Sequence, residues 1–210
     1  RLPSPDYSPH LNPFTLNPML FEGDHLVGQE ENAKKVLYFI HSGNMAFIQG
    51  AKGTGKTQLL KHAIETFKGK GKVIYVDAKK LNKKLNIEEL LVNRYGFFKG
   101  KVLKSKPKRM ILLLDNVEEL SKTNNERIKY YFDQNYLKSV LFAGTSFKKV
   151  NFSSSIVDRI GNRVLEVGEL SSKEMIDIVL NRLGDEDIMS SEMIEKVFKA
   201  SGKNPRATLI

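Results

Sequence analysis

The sequence predicts a three-layer α/β fold, a parallel five-stranded sheet with helices on both faces, followed by a small all-helical lid. Three observations predict it. Short apolar runs rich in branched residues alternate with amphipathic helical stretches, the pattern of βαβ units, and such units require a parallel sheet. One run, Met110–Leu114, is apolar without interruption and ends on Asp115, as expected of a strand buried on both faces. After residue 169 the strands stop and only helical patterns follow. With 210 residues and 40% hydrophobic content, the chain can bury one core of ordinary size plus a small appendage.

Residues 1–24 hold five of the seven prolines (Pro3, Pro5, Pro9, Pro13 and Pro18), with Leu11, Phe14, Leu16, Leu20 and Phe21 between them. Proline at that density prevents a regular helix, so the segment reads as an extended arm whose apolar residues lie on the domain or a neighbour. The α/β domain is expected over 25–169. Gln29–Ser42 places Ala33, Val36, Leu37 and Ile40 at helical spacing, and Met45–Gln49 reads as a short buried strand. A helix from Lys56 to about Phe67 and a second strand, Lys72–Asp77, come next. Within 78–109 only Ile87–Tyr95 looks helical, amid lysine-, glycine- and asparagine-rich loop. Beyond the Met110–Leu114 strand, Thr123-Asn124-Asn125-Glu126 reads as a capping box opening a helix that carries Ile128, Tyr131 and Phe132. Ser139–Ala143 and Arg163–Val167 are the fourth and fifth strands.

The lid is expected over 170–210. Ser171 and Glu174 form a second capping box, and Met175, Ile176, Val179, Leu180 and Leu183 make one apolar stripe before Gly184. Met193, Ile194, Val197 and Phe198 repeat the pattern. Asn204-Pro205 opens a third helix, an Asn cap followed by proline in the first turn. That helical pattern is still running at Ile210, so the lid is expected to be truncated.

Composition excludes several functions. With no cysteine there is no disulfide framework and no thiolate metal site, and His10, His25, His41 and His62 have no ligand spacing. No apolar run approaches the roughly 20 residues that span a bilayer, so no membrane role is expected and the chain is placed in the cytoplasm, or in the nucleus or on chromatin in a eukaryote. The formal charge of +10 is concentrated: residues 68–109 carry 14 Lys and Arg against Asp77, Glu88 and Glu89, a local net of +11 with −1 for the remainder. Such a belt attracts polyanions, which makes double-stranded DNA a candidate partner. Lysine outnumbers arginine, so the belt speaks for backbone contact rather than base readout.

The chemistry starts at Gly50-Ala51-Lys52-Gly53-Thr54-Gly55-Lys56-Thr57, between a strand and an apolar-striped helix. A triphosphate carries about four negative charges whose oxygens need many donors at close range, and Gly50, Gly53 and Gly55 let the backbone approach with its N–H groups inward. Lys56 is expected at the β- and γ-phosphates and Thr57 on Mg²⁺, with Gln58 next to them on the helix, whose dipole adds to the site. ATP or ADP with Mg²⁺ is the expected cofactor set. Asp115, ending its strand, is expected to hold the metal shell with Thr57.

In these features the chain resembles the AAA+ ATPases, a P-loop NTPase family, and within it the replication initiators of archaea and eukaryotes and related archaeal ATPases. The resemblance covers about residues 22–210. Leu26-Val27-Gly28-Gln29-Glu30 is similar to the family segment beside the adenine base, which makes Leu26 and Val27 base contacts. Leu141-Phe142-Ala143-Gly144-Thr145-Ser146 resembles the strand ending in the sensor 1 position, so Thr145 or Ser146 would orient water near the γ-phosphate. Asp158-Arg159-Ile160-Gly161-Asn162-Arg163 is similar to the segment whose arginine reaches the nucleotide of an adjacent subunit; Arg159 is the better match and Arg163 the reserve. Gly202-Lys203-Asn204-Pro205-Arg206 resembles the start of the helix carrying sensor 2, which would bring Arg206 to the γ-phosphate of its own site. The resemblance thus implies neighbouring AAA+ subunits, identical or not, as partners.

One position departs from the family. The glutamate that usually follows the strand-ending aspartate is Asn116, in Asp115-Asn116-Val117-Glu118-Glu119. An amide cannot act as a base, though it can position a water, and Glu118 or Glu119 are alternatives. Loss of a general base costs on the order of 10²–10⁴ in rate, so slow ATP hydrolysis is expected. The function expected is therefore an ATP- and Mg²⁺-dependent conformational switch acting in an assembly and on DNA. The alternatives are a nucleotide-stabilised scaffold subunit that scarcely hydrolyses ATP and a signalling-type P-loop ATPase.

Overall fold

The structure, a computed structural model, describes residues 26–80, 109–183 and 189–209. The expected arm, the expected helix at Ile87–Tyr95 and most of the basic belt lie outside the described residues.

Five strands, β1 (Met45–Gln49), β2 (Val73–Asp77), β3 (Met110–Asp115), β4 (Leu137–Gly144) and β5 (Val164–Glu166), form one sheet in the order β2-β3-β4-β1-β5. Every pairing is parallel. Parallel strands bury both faces, and the period-two alternation of side chains divides the core accordingly. Met45, Phe47, Leu112, Leu114, Val140 and Phe142 point to one face, where they pack with Ile128, Ile156 and Ile160 from the helices α3 (Lys122–Asp133) and α4 (Ser154–Ile160). Ala46, Ile48, Ile111, Leu113, Leu141 and Ala143 point to the other, against Val36, Ile40, Leu59 and Leu60 of α1 (Glu30–Ser42) and α2 (Lys56–Thr66). The predicted three-layer sandwich is the observed one.

Most boundaries fall within a residue or two of expectation, and two of the differences have identifiable reasons. β4 begins at Leu137, before the expected Ser139, because Leu137 pairs with Met110 ahead of a register irregularity in β3. Helix α3 is capped by Ser121 rather than by the predicted Thr123: the Ser121 hydroxyl accepts the Asn124 N–H at 3.2 Å. Leu120 is buried and anchors the chain just before Ser121, so the earlier of two overlapping cap patterns is used and Thr123 falls on the exposed face of the first turn.

Residues 170–209 contribute a separate apolar cluster, Leu170, Met175, Val179, Leu183, Ile194 and Phe198. It is built from α5 (Ser172–Leu183), α6 (Ser191–Ala200) and the short α7 (Pro205–Thr208). The Ser171 capping box forms as predicted, with the Glu174 N–H on the Ser171 hydroxyl at 3.2 Å and the Ser171 N–H on the Glu174 carboxylate at 2.7 Å. Among the described residues, no helix is long and apolar enough to cross a membrane.

The strand registers align Gln49 with Gly144 and Asp77 with Asp115, so the connections after β1, β3 and β4 gather at one edge of the sheet. In open parallel sheets, ligands bind beyond the carboxyl ends of the strands.

Candidate functional site

A cleft of about 400 Å³ opens at that edge, within the roughly 300–1,000 Å³ usual for small-molecule sites. The Gly50–Thr57 loop lines it from Lys52 to Thr57, while Gly50 and Ala51 lie outside the lining. Gly53 and Gly55 adopt φ of +86° and +100°, conformations that side chains other than glycine's rarely take, and they turn the chain from β1 into α2. Thr54 closes the turn by donating its hydroxyl to the Ala51 carbonyl at 2.9 Å. The Lys56 ammonium bridges the loop, donating to the Gly50 and Ala51 carbonyls at 2.7 Å each. Burial lowers its pKa, opposed by the carboxylates of Asp115 and Glu118. Lys52 and Gln58 also line the cleft, and the Gln58 Oε1 is buried there with no hydrogen-bond partner.

Thr57, on the first turn of α2, donates its hydroxyl to Asp115 Oδ2 at 2.5 Å. Asp115 is 2% exposed, and the Tyr75 hydroxyl donates to the same oxygen at 3.1 Å. Burial, with the Asp115 charge beside it, raises the Tyr75 pKa, so the phenol stays a donor. A hydroxyl and a carboxylate in contact under a phosphate-type loop offer hard oxygens, the donors that Mg²⁺ takes together with phosphate and water.

The residues after Asp115 separate. Asn116 has φ +54°, a left-handed conformation that asparagine tolerates, and its amide donates to Asp77 Oδ1 at the end of β2 at 2.8 Å. Glu118 lies on the next turn, a 3₁₀ turn at Val117–Glu119, and its Oε1 accepts both the Thr145 N–H and the Thr145 hydroxyl, the latter at 2.6 Å. Burial pushes the Glu118 pKa up, but the Thr145 hydrogen bonds and the Lys56 charge outweigh it, and the net shift is downward. Glu118 is therefore a carboxylate facing the loop lysine. Glu119 and Thr145 also line the cleft; Ser146 is outside the lining and starts a 3₁₀ turn, its carbonyl accepting the Lys149 N–H at 3.1 Å.

Leu26, Val27, Leu170, Ile178 and Leu209 give the cleft its apolar lining, and Arg206 lines it from α7. Arg159 does not line it: its guanidinium makes two 2.8 Å bonds to the Asp133 carboxylate and a third, at 2.8 Å, to the Ser155 carbonyl. Arg163 is absorbed locally, on the Met45 carbonyl at 3.0 Å and the Arg159 carbonyl.

Sequence reasoning missed Tyr75, Arg182 and the full role of Asn204. Tyr75 carries a signal in retrospect, as the one hydroxyl-bearing residue of β2, which pairs with the Asp115 strand. Arg182 follows Ile178 by one helical turn on α5, and both line the cleft. Asn204 looked like a cap, and it is one, but its amide also donates to the Lys52 carbonyl at 2.7 Å.

Residues 42–176 match the family described as AAA domain. No curated protein matches the chain in sequence. Among solved structures, Cdc6p from Pyrobaculum aerophilum superposes with a TM-score of 0.72 at 15% identity, over 94% of this chain and 62% of that one. The Aeropyrum pernix Orc1 protein in complex with DNA gives 0.67 at 16% identity, over 93% and 61%. The replication initiator DnaA bound to AMPPCP and single-stranded DNA gives 0.59 at 27% identity, over 94% and 63%. This chain thus spans about three fifths of the length of these structures. The family match covers more than half of the chain, from Ser42 at the end of α1 into α5, and the chain belongs to the AAA domain family of P-loop ATPases.

Proposed function

We propose that this chain is an ATP- and Mg²⁺-dependent conformational switch that works beside neighbouring AAA+ subunits and acts on double-stranded DNA. The observation that carries the reading is the Thr57–Asp115 contact of 2.5 Å beneath a loop whose lysine already spans its mouth. Lys56 and the loop amides would hold the phosphates, Thr57 and Asp115 the metal, and Leu26, Val27 and Ile178 the base. Glu118, charged and hydrogen-bonded to Thr145 in the cleft, is our choice of carboxylate to activate water, with Glu119, which also lines the cleft, as the alternative. Arg159, outside its own cleft, would act on the nucleotide of an adjacent subunit once released from Asp133. The basic segment 68–109 and the DNA in the Aeropyrum Orc1 structure support a DNA partner.

The scaffold reading has one observation in its favour. Asn116 spends its amide on Asp77, which leaves the usual position of the base without a carboxylate. Steady-state ATP hydrolysis measured across protein concentration separates the two. The switch reading expects specific activity to rise with concentration and the rise to vanish in Arg159→Ala. ATP binding with negligible turnover at every concentration would establish the scaffold instead.

A further inference from the structure

We infer that Asn204 is a positioning residue, the link through which the lid sets the phosphate-binding geometry of the Lys52–Gly53 turn; the inference rests on the nucleotide reading of the cleft. Both ends of the Asn204 amide are used. Its Oδ1 accepts the Arg206 and Ala207 N–H groups at 3.0 and 3.3 Å, capping α7, while its Nδ2 donates to the Lys52 carbonyl at 2.7 Å. Ser or Asp would serve the cap equally well. Neither would also serve the loop: Asp has no donor and Ser is too short to span both groups. Asparagine is thus required by the loop contact rather than by the helix.

The contact bears on phosphate binding through peptide geometry. The Lys52 carbonyl and the Gly53 N–H belong to one planar trans peptide unit and point in opposite directions. Holding the carbonyl toward the lid therefore turns the Gly53 N–H away from Asn204 and fixes the orientation of one loop donor before any ligand arrives. There is no slack in the arrangement. A Cβ on Gly53 would lie 2.2 Å from Asn204 Oδ1 and 2.8 Å from Arg206 Cβ, so the loop backbone and the start of α7 are packed against each other. Arg206, two residues beyond Asn204, is carried to the cleft by the same short helix. Loop conformation and lid position are consequently coupled through the Asn204 amide, and an ordered loop holds α7 in place.

The test titrates Mg·ATP and Mg·ADP into the chain and into Asn204→Ser, with Arg206→Ala as the comparison. One net hydrogen bond of preorganisation corresponds to a loss of about three- to tenfold in affinity. Asn204→Ser is expected to weaken both nucleotides by that same factor, since the loop amide serves either one. Arg206→Ala is expected to weaken ATP more than ADP. With the cap kept, unfolding of Asn204→Ser without nucleotide should stay close to wild type. Asn204→Thr, which also keeps a capping hydroxyl, cannot donate to Lys52 as the amide does and adds no charge, should likewise weaken both nucleotides and guards against a folding artefact at Ser. Hydrogen exchange supplies a readout that a cap alone would not move: nucleotide should protect the amides of 206–209 in wild type and fail to do so in Asn204→Ser. Wild-type affinity for both nucleotides in Asn204→Ser, or retained protection of 206–209, overturns the inference alone. Failure of the wild type to bind either nucleotide overturns the nucleotide reading as well, so the two failures are distinct.

Discussion

Asn116 stands where related ATPases carry glutamate, and restoring that residue is expected to damage the fold. The Asn116 amide donates to Asp77 at 2.8 Å from a backbone with φ +54°. Asn116→Glu loses that hydrogen bond, a cost of about 1 kcal/mol. It forces a residue without asparagine's tolerance into the left-handed region, for about 1 kcal/mol more. It also sets two carboxylates about 4 Å apart at a half-buried strand end, where water-like screening still leaves about 1 kcal/mol of repulsion. The sum is about 3 kcal/mol, which for a domain of this size corresponds to a fall in Tm of roughly 6–12 °C. Thermal unfolding followed by circular dichroism, without nucleotide, measures it. The double variant Asn116→Glu/Asp77→Asn swaps the amide and the carboxylate, which restores the hydrogen bond and removes the repulsion; it should recover about two thirds of the loss. A single variant within about 2 °C of wild type, or a double variant no better than the single, refutes the reasoning.

Glu118→Gln should bind ATP normally and hydrolyse it about 10²–10⁴-fold more slowly, measured by phosphate release under saturating ATP. The same variant makes a pH prediction. Because the Glu118 pKa is lowered in the folded protein, its contribution to stability is full above its ordinary value of 4.5 and is lost as pH falls through the lowered value. The stability gap between wild type and Glu118→Gln should therefore be present at neutral pH and close on acidification below 4.5, as read from urea unfolding across pH. Asp133→Asn removes the charged partner of Arg159 and should raise concentration-dependent ATPase activity, with a stability cost of no more than about 1 kcal/mol for so exposed a pair. Neutralising Lys79, Lys80, Lys83 and Lys84 should weaken binding to duplex DNA at ~100 mM salt and flatten its salt dependence; unchanged binding assigns the belt to solvent.

The parts of the site legible in the sequence are those whose geometry follows from neighbours in the chain. The Gly50–Thr57 loop is contiguous between a strand and a helix, and Asp115 is placed by the apolar run that it ends. Thr57 and Asp115 meet because the strand order brings β1 and β3 to either side of β4 and aligns their ends. What spacing could not reveal depends on single backbone angles and on long-range packing. The left-handed conformation at Asn116 sends its amide to β2 and leaves Glu118 to face the cleft, a division that residue order does not encode. The Asp133 partner of Arg159 comes from a different helix, and the two meet only because α3 and α4 cover the same face of the sheet. At Ser121 and Thr123 two cap patterns overlapped, and burial of Leu120, a tertiary event, selected the first.

In the proposed switch this cleft holds a nucleoside triphosphate and Mg²⁺ through Lys56, Thr57 and Asp115. Equilibrium ATP binding by calorimetry, with and without Mg²⁺, for wild type and Lys56→Ala tests it most directly. Binding by the wild type should be saturable and strengthened by Mg²⁺, and weakened at least tenfold in a Lys56→Ala variant that remains folded, since loss of a charge-assisted contact costs about 1.5–3 kcal/mol. No binding by the wild type, or equal binding by both proteins, would contradict it.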